Sequence, residues 1–357
     1  GAKMISEYIT KISSNKNLSY DEMSQIMGEV LTGKISVEET TNFLKTLTEK
    51  GETDQELLAM LDKMQENSIH IHPKIEQNMI DVCGTGGDRM STFNISTTAS
   101  FVIAASGVVV AKHGNRSSSG ISGSAEIFEY FGYDLNMEAH KVQEIIEKFG
   151  IGFMFAPKFH PAMKNVAEAR KIIGKRTAFN LLGPLTNPAE VKHQLVGVYS
   201  KEYLSRVISL LESRGSETVM TVISDDGLDE LSTTSKNHIY QLNKGEVTSS
   251  ILDPTELGLS KAELSDIQIS TKDEAINAFV TVLNGTAKKP MLEITALNAA
   301  AGLIVGGFSE KFDEALSISL QSIKNGKAYD LFRELIEYCG DITKLDANVG
   351  IIGPPGP

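Results

Sequence analysis

Residues 4–72 carry apolar positions at three- and four-residue spacing, the period of a helix with one buried face. Met23, Met27, Val30 and Leu31 make one such face; Leu57, Leu58, Leu61 and Met64 make another. Three S/T-x-x-E boxes open helical segments: Ser19 with Glu22, Ser36 with Glu39, Thr53 with Glu56. Gly33 and Gly51 stand where helices stop. Both stripes, methionines included, are read as ordinary core. A unit this short buries little by itself, so it packs on the main domain or on a second copy of itself.

From residue 79 the period changes. Short apolar runs at 79–82, 108–111, 152–155, 194–198 and 218–223 read as strands. Helical patterns at 99–106, 123–131, 138–149, 161–173 and 202–214 lie between them. Two further runs, 238–242 and 246–252, joined around Asn243-Lys244-Gly245, read as a hairpin. Helical patterns then return at 273–283, 292–305, 310–324 and 331–338, and the closing Gly-Pro-Pro-Gly-Pro reads as an irregular tail. Alternation of this kind predicts an α/β fold with a mostly parallel central sheet, whose ligands sit beyond the carboxyl ends of the strands. The expected organisation is a small all-helical domain over 4–72, completed by helices around 161–190, and a large α/β domain over 73–350.

Composition narrows the function. The chain has 357 residues, 41% of them hydrophobic, and a net charge of −12. An acidic balance argues against nucleic acid or an anionic membrane as partner, so any phosphate must be met by a local cluster of donors. Two cysteines, Cys83 and Cys339, exclude a disulfide framework and fit a reducing cytoplasm. No run is long and apolar enough for a membrane span, and no signal peptide is expected.

Three loops carry candidate chemistry. The run after the first strand holds Gly84, Gly86, Gly87 and Asp88, then Asn94, Ser96 and Thr97 before a helix. Strand, glycine-rich loop and helix start together present free N–H groups to a phosphate. The spacing matches neither the P-loop nor the dinucleotide fingerprint. Read alone, it could equally be a solvated connection. The second strand ends in Lys112-His-Gly-Asn-Arg-Ser-Ser-Ser-Gly120, rich in donors and flexible backbone, and Ser124 opens the next helix. The fifth strand ends in Ser224-Asp-Asp-Gly-Leu-Asp-Glu230. Beside a phosphate, such carboxylates are candidate Mg²⁺ ligands, although an acidic turn alone is usually just solvated.

Taken together, Gly84-Thr-Gly-Gly-Asp88, Asn94-Ile-Ser-Thr97, Lys112-His-Gly-Asn115, the run Arg176 to Pro188 and Asp229-Glu230 occur in the order of the anthranilate phosphoribosyltransferases. The chain resembles that family over nearly its whole length. The resemblance implies a nucleoside phosphorylase/phosphoribosyltransferase-like fold, commonly a homodimer through the helical domain. It implies transfer of phosphoribose from phosphoribosyl pyrophosphate to the amine of anthranilate, in tryptophan biosynthesis, with Mg²⁺. By position, the family's phosphoribosyl pyrophosphate contacts fall on Gly84, Gly87, Asp88, Thr92, Asn94, Ser96, Thr97, Lys112 and Ser124. Its anthranilate contacts fall on Gly84, Asn115 and Arg170, and its metal contacts on Ser96, Asp229 and Glu230. The serine-rich loop departs from the pattern: Gly120 and Ile121 stand where the family usually has a serine and a basic residue.

The chemistry so implied needs no acid–base residue. An aromatic amine is uncharged at neutral pH, and pyrophosphate leaves readily once its charge is neutralised, so positioning and charge stabilisation are expected to suffice. Two other readings stand beside this one. A pyrimidine nucleoside phosphorylase has a similar layout but uses inorganic phosphate and needs no metal on a diphosphate. A protein that kept the fold and only binds a nucleotide or partner would not turn over.

Overall fold

The computed structural model describes residues 2–121 and 123–352, so the closing tail lies outside the described residues. The chain divides into two units. The first takes the chain up to His70 together with Ala156–Glu190, and the second takes Ile71–Phe155 and the chain from Val191 onward.

The first unit is all helical. Ala2–Ser13, Tyr20–Leu31, Val37–Lys50 and Asp54–Glu66 are joined by Ala156–Phe159, Lys164–Ile173 and Ala178–Leu182. Met23, Ile26, Met27, Phe43, Leu44, Leu57, Met60 and Leu61 are buried in its core. The caps at Ser19 and Thr53 are complete boxes. The one at Ser36 is not: its hydroxyl accepts from the Glu39 N–H, but the Glu39 carboxylate takes that same hydroxyl at 3.1 Å instead of the cap N–H. A hydroxyl both donates and accepts, so it can satisfy Glu39 locally. Glu56 does more than close its box. Its buried carboxylate also accepts from Lys50 Nζ at 2.7 Å and from the Leu18 N–H at 2.9 Å, which ties neighbouring segments to this helix start.

The second unit is built on one seven-stranded sheet of order β3-β2-β1-β4-β5-β6-β7. The strands are β1 (Met79–Gly84), β2 (Val109–Gly114), β3 (Ile151–Phe155), β4 (His193–Gly197), β5 (Thr218–Ser224), β6 (Asn237–Asn243) and β7 (Glu246–Leu252). The first five are parallel, and β6 and β7 add an antiparallel edge. The predicted mostly parallel sheet is therefore present. Lys244 and Gly245 both have positive φ, the requirement of a two-residue type I′ hairpin turn. The helix read as 292–305 runs Lys289–Val305, because Pro290 is compatible with a first helical turn.

One correction concerns β2. Lys112, His113 and Gly114 were expected in the loop after the strand, but they are in the strand, opposite Phe153, Met154 and Phe155. The polar pair is tolerated because it pairs with β3, the His113 N–H donates to Asp81 Oδ1 at 3.4 Å, and the buried Lys112 ammonium donates to the Val82 carbonyl. A second correction is the helix Ile342–Ile352, where no helix was read.

The sheet's core lies against the helices Ile95–Ala105 and Lys289–Val305. Phe332 meets Phe101, Phe131 and Phe279 edge to face, with centroids 4.8–5.1 Å apart, and so anchors the later helices on the first βα unit. From β1 the order runs one way through β2 and β3 and the other way through β4 and β5. In open sheets such a reversal leaves a crevice beyond the carboxyl ends of the two central strands. Here those ends are Gly84 and Gly197, which are register partners.

Candidate active site

The loop leaving β1 is wound unusually. Gly86, Gly87, Arg89 and Ser91 all have positive φ. For Arg89 and Ser91 that backbone is disfavoured, and strain of this kind collects at ligand-binding loops. The Asp88 carboxylate closes the turn on the Met90 N–H at 3.0 Å. Thr92 makes a bridge to Gln268, and the helix Ile95–Ala105 follows, with Ser96 and Thr97 inside its first turn and not before it. Asn94 Nδ2 donates to the Gly123 carbonyl at 3.0 Å and so ties this loop to the serine-rich one. There, Ser124 Oγ donates to the Asn115 carbonyl at 3.3 Å, and Asn115 Oδ1 accepts from the Arg116 N–H at 2.8 Å. Arg116 is committed to a bidentate pair with Glu129, so it is not a free cation for substrate.

The acidic loop after β5 sorts its four carboxylates. Asp225 pairs with His238 at 2.5 Å. Asp226 accepts the hydroxyls of Ser224 and Thr234 and shapes the turn. Asp229 instead reaches over the sheet: its Oδ2 accepts the Gly86 N–H at 2.8 Å, and its own N–H donates to Asp88 at 3.3 Å. Glu230 accepts the Ser96 hydroxyl at 2.9 Å. Burial pushes the Asp229 carboxyl well above its ordinary range, and neighbouring Asp88 adds to the shift. Glu230 is raised too, by burial first and by Asp88, against the opposing pull of Ser96 and Lys112. Acidic groups crowded this way are each harder to ionise, and a cation among them would relieve both costs.

The donors suit a hard divalent cation. Carboxylate and hydroxyl oxygens of Asp229, Glu230 and Ser96 are what Mg²⁺ prefers. Among the described residues, no group of three or more acidic, His or Cys side chains could hold an ion alone. Mg²⁺ usually takes one or two carboxylates and completes its shell with water and phosphate oxygens, so an incomplete set fits it.

Gly197 was not singled out from the sequence. A Cβ there would overlap the Asp229 backbone, and a Cβ on Gly84 would overlap the Asp229 carboxylate. The available signal was a glycine inside a strand pattern, which marks close backbone approach.

Arg170 belongs to the helical unit, on Lys164–Ile173. Its guanidinium lies 5.7 Å over the Phe179 ring. Burial lowers its pKa, and among the described residues no carboxylate compensates it.

Residues 6–68 match the helical bundle domain of a glycosyl transferase family, and residues 76–329 match the a/b domain of that family. An anthranilate phosphoribosyltransferase of Nitrosopumilus maritimus is 60% identical over 342 residues, covering 96% of this chain and 98% of its own. One from Cenarchaeum symbiosum is 45% identical, over 93% of this chain and 96% of its own. Among solved structures, the Thermus thermophilus enzyme of that name superposes with a TM-score of 0.85 at 35% identity, covering 93% of this chain and 98% of its own. The Saccharomyces cerevisiae enzyme in complex with PRPP and Mg shares the fold, with a TM-score of 0.85 at 24% identity, over 97% of this chain and 99% of its own.

Proposed function

The chain belongs to the anthranilate phosphoribosyltransferases, within the glycosyl transferase family, and from that premise we propose which of its residues do the work. The protein transfers the phosphoribosyl group from phosphoribosyl pyrophosphate to the amine of anthranilate, releasing pyrophosphate, in tryptophan biosynthesis. The observation that carries the residue assignment is convergence at one crevice. The wound loop, the Asp229-Glu230 pair and the first turn of Ile95–Ala105 are bonded to one another at the ends of β1 and β4.

Phosphoribosyl pyrophosphate is assigned to Gly84, Gly87 and Asp88 of the loop, with Thr92, Asn94, Ser96, Thr97, Lys112 and Ser124. Asp229, Glu230 and Ser96 hold Mg²⁺. Once bound, the ion supplies positive charge to the diphosphate leaving group. The chain's own contribution is placement: fixed N–H donors receive charge that moves onto the diphosphate as the C1–O bond weakens. The acceptor amine is uncharged and attacks C1 without a base, then loses its proton to solvent. Anthranilate is assigned to Gly84, Asn115 and Arg170. An uncompensated, half-buried guanidinium supports the last of these, since its planar fork matches a carboxylate.

A homodimer through the helical unit is supported by its exposed apolar side chains, Ile172 (61% exposed) and Val37. Sedimentation at micromolar concentration should give a dimer, and a clean monomer would remove this assignment. That Cys83 and Cys339 form no disulfide supports a cytoplasmic setting; among the described residues no helix is long and apolar enough to cross a membrane. The direct test of the activity is loss of anthranilate fluorescence with phosphoribosyl pyrophosphate and Mg²⁺. Phosphorolysis of a pyrimidine nucleoside in its place would favour the phosphorylase reading.

A further inference from the structure

The pair Asp229-Glu230 is followed at once by backbone held in two side-chain amides. The Leu231 N–H donates to Asn298 Oδ1 at 3.0 Å, and Asn298 Nδ2 donates back to the Leu231 carbonyl at 2.8 Å. The Ser232 N–H donates to Asn237 Oδ1 at 2.8 Å, and Asn237 Nδ2 donates back to the Ser232 carbonyl at 2.9 Å. Each amide thus gives one residue the two-bond grip that an antiparallel strand partner would give. One comes from a helix and the other from the start of β6.

Neither asparagine is where polarity is cheap. Asn298 is 2% exposed, in a helix stretch otherwise made of Ile, Ala, Leu and Gly with one Thr, and Asn237 is fully buried. A buried amide costs free energy unless both its functions are bonded. Outside its own helix, Asn298 directs both functions to Leu231. The amide's place in the apolar helix is therefore explained by the chain it grips and not by helix packing.

We propose that Asn298 and Asn237 are positioning residues for the metal-holding pair. They fix the chain immediately after Glu230, so the two carboxylates stand ready before metal arrives and need no ordering by it. This rests on the assignment of Asp229 and Glu230 to Mg²⁺. Neither asparagine is placed against substrate.

The test is calorimetric binding of phosphoribosyl pyrophosphate, with and without Mg²⁺ and with no anthranilate, so that nothing turns over. In Asn298→Ala the affinity measured with Mg²⁺ should fall about ten- to a hundredfold, as for removal of other groups that orient metal ligands. The affinity without Mg²⁺ should not move. Asn237→Ala should behave the same way, with a fall in the affinity measured with Mg²⁺ and no change without it. Thr295→Val is the stability control: it removes a buried hydroxyl bond to the Met291 carbonyl on the same helix. It should lose stability and keep the full gain from metal. A folded Asn298→Ala protein with the wild-type gain overturns the proposal. So does failure of both alanine variants to fold, which would make the amides determinants of the fold itself. The Asp229→Asn, Glu230→Gln double variant separates the two layers. If it keeps the wild-type gain, the metal assignment is wrong and the positioning role falls with it.

Discussion

Gly84 and Gly197 are register partners at the carboxyl ends of β1 and β4, and Asp229 lies against both where a Cβ would stand. Two neighbouring strands thus lack side chains where Asp229, from the loop after β5, crosses them, its carboxylate over Gly84 and its backbone over Gly197. Gly197→Ala should therefore push the Asp229 segment off the sheet. Overpacking of this sort costs about 1–3 kcal/mol. The expected reading is a fall in kcat/KM of at least about tenfold, with the far-UV spectrum preserved. Wild-type kinetics in that variant would show the slot to be dispensable.

Asp229→Asn combined with Glu230→Gln should abolish metal-dependent turnover. It removes a buried and a half-buried carboxyl whose pKa values are both raised, so the fold loses a cost and not a support. Thermal unfolding should show a melting temperature equal to or above that of the wild type. Retained Mg²⁺-dependent activity would refute the assignment.

Arg170→Ala tests the acceptor. A hydrogen bond to a charged group contributes about 1.5–3 kcal/mol, which at roughly 1.4 kcal/mol per decade is about ten- to a hundredfold. The KM for anthranilate should rise by that order while the KM for phosphoribosyl pyrophosphate stays. Aniline, which lacks the carboxylate, should react poorly with the wild type and no worse with the variant. If the donor KM rises and the acceptor KM does not, Arg170 serves the other substrate.

His160 predicts a pH dependence of stability. It is buried in the helical unit, 3.4 Å from the Thr186 hydroxyl, and burial pushes its pKa down from 6.5 to about 4. The folded state keeps it neutral while the unfolded chain protonates below pH 6.5. Stability is therefore full above pH 6.5 and is lost as pH falls towards 4, by on the order of 3 kcal/mol in all. His160→Gln should flatten that part of the profile. Denaturant titrations of both proteins at pH 7, 5.5 and 4.5 check this, and parallel curves would refute it.

Local chemistry determined much of this protein. The period change at residue 79 separated helical from alternating structure, and the complete boxes at Ser19 and Thr53 follow from their own four residues. The strands could be read because a doubly covered parallel sheet needs unbroken apolar runs. The order of motifs along the chain placed it in its family. What tertiary structure decided were meetings between residues far apart in sequence. Lys112 is in a strand because a ladder and the Val82 carbonyl satisfy it, which no local pattern announces. Of four clustered carboxylates, the fold gave Asp225 and Asp226 to nearby partners and carried Asp229 across to Gly86. Gly197 and Asn298 look, in sequence, like a weak strand residue and a flaw in an apolar helix. Their roles depend on contacts 32 and 67 residues away along the chain, to Asp229 and to Leu231. Hydrophobic periodicity reports which face is buried, but it cannot report which backbone arrives on the other side of that face.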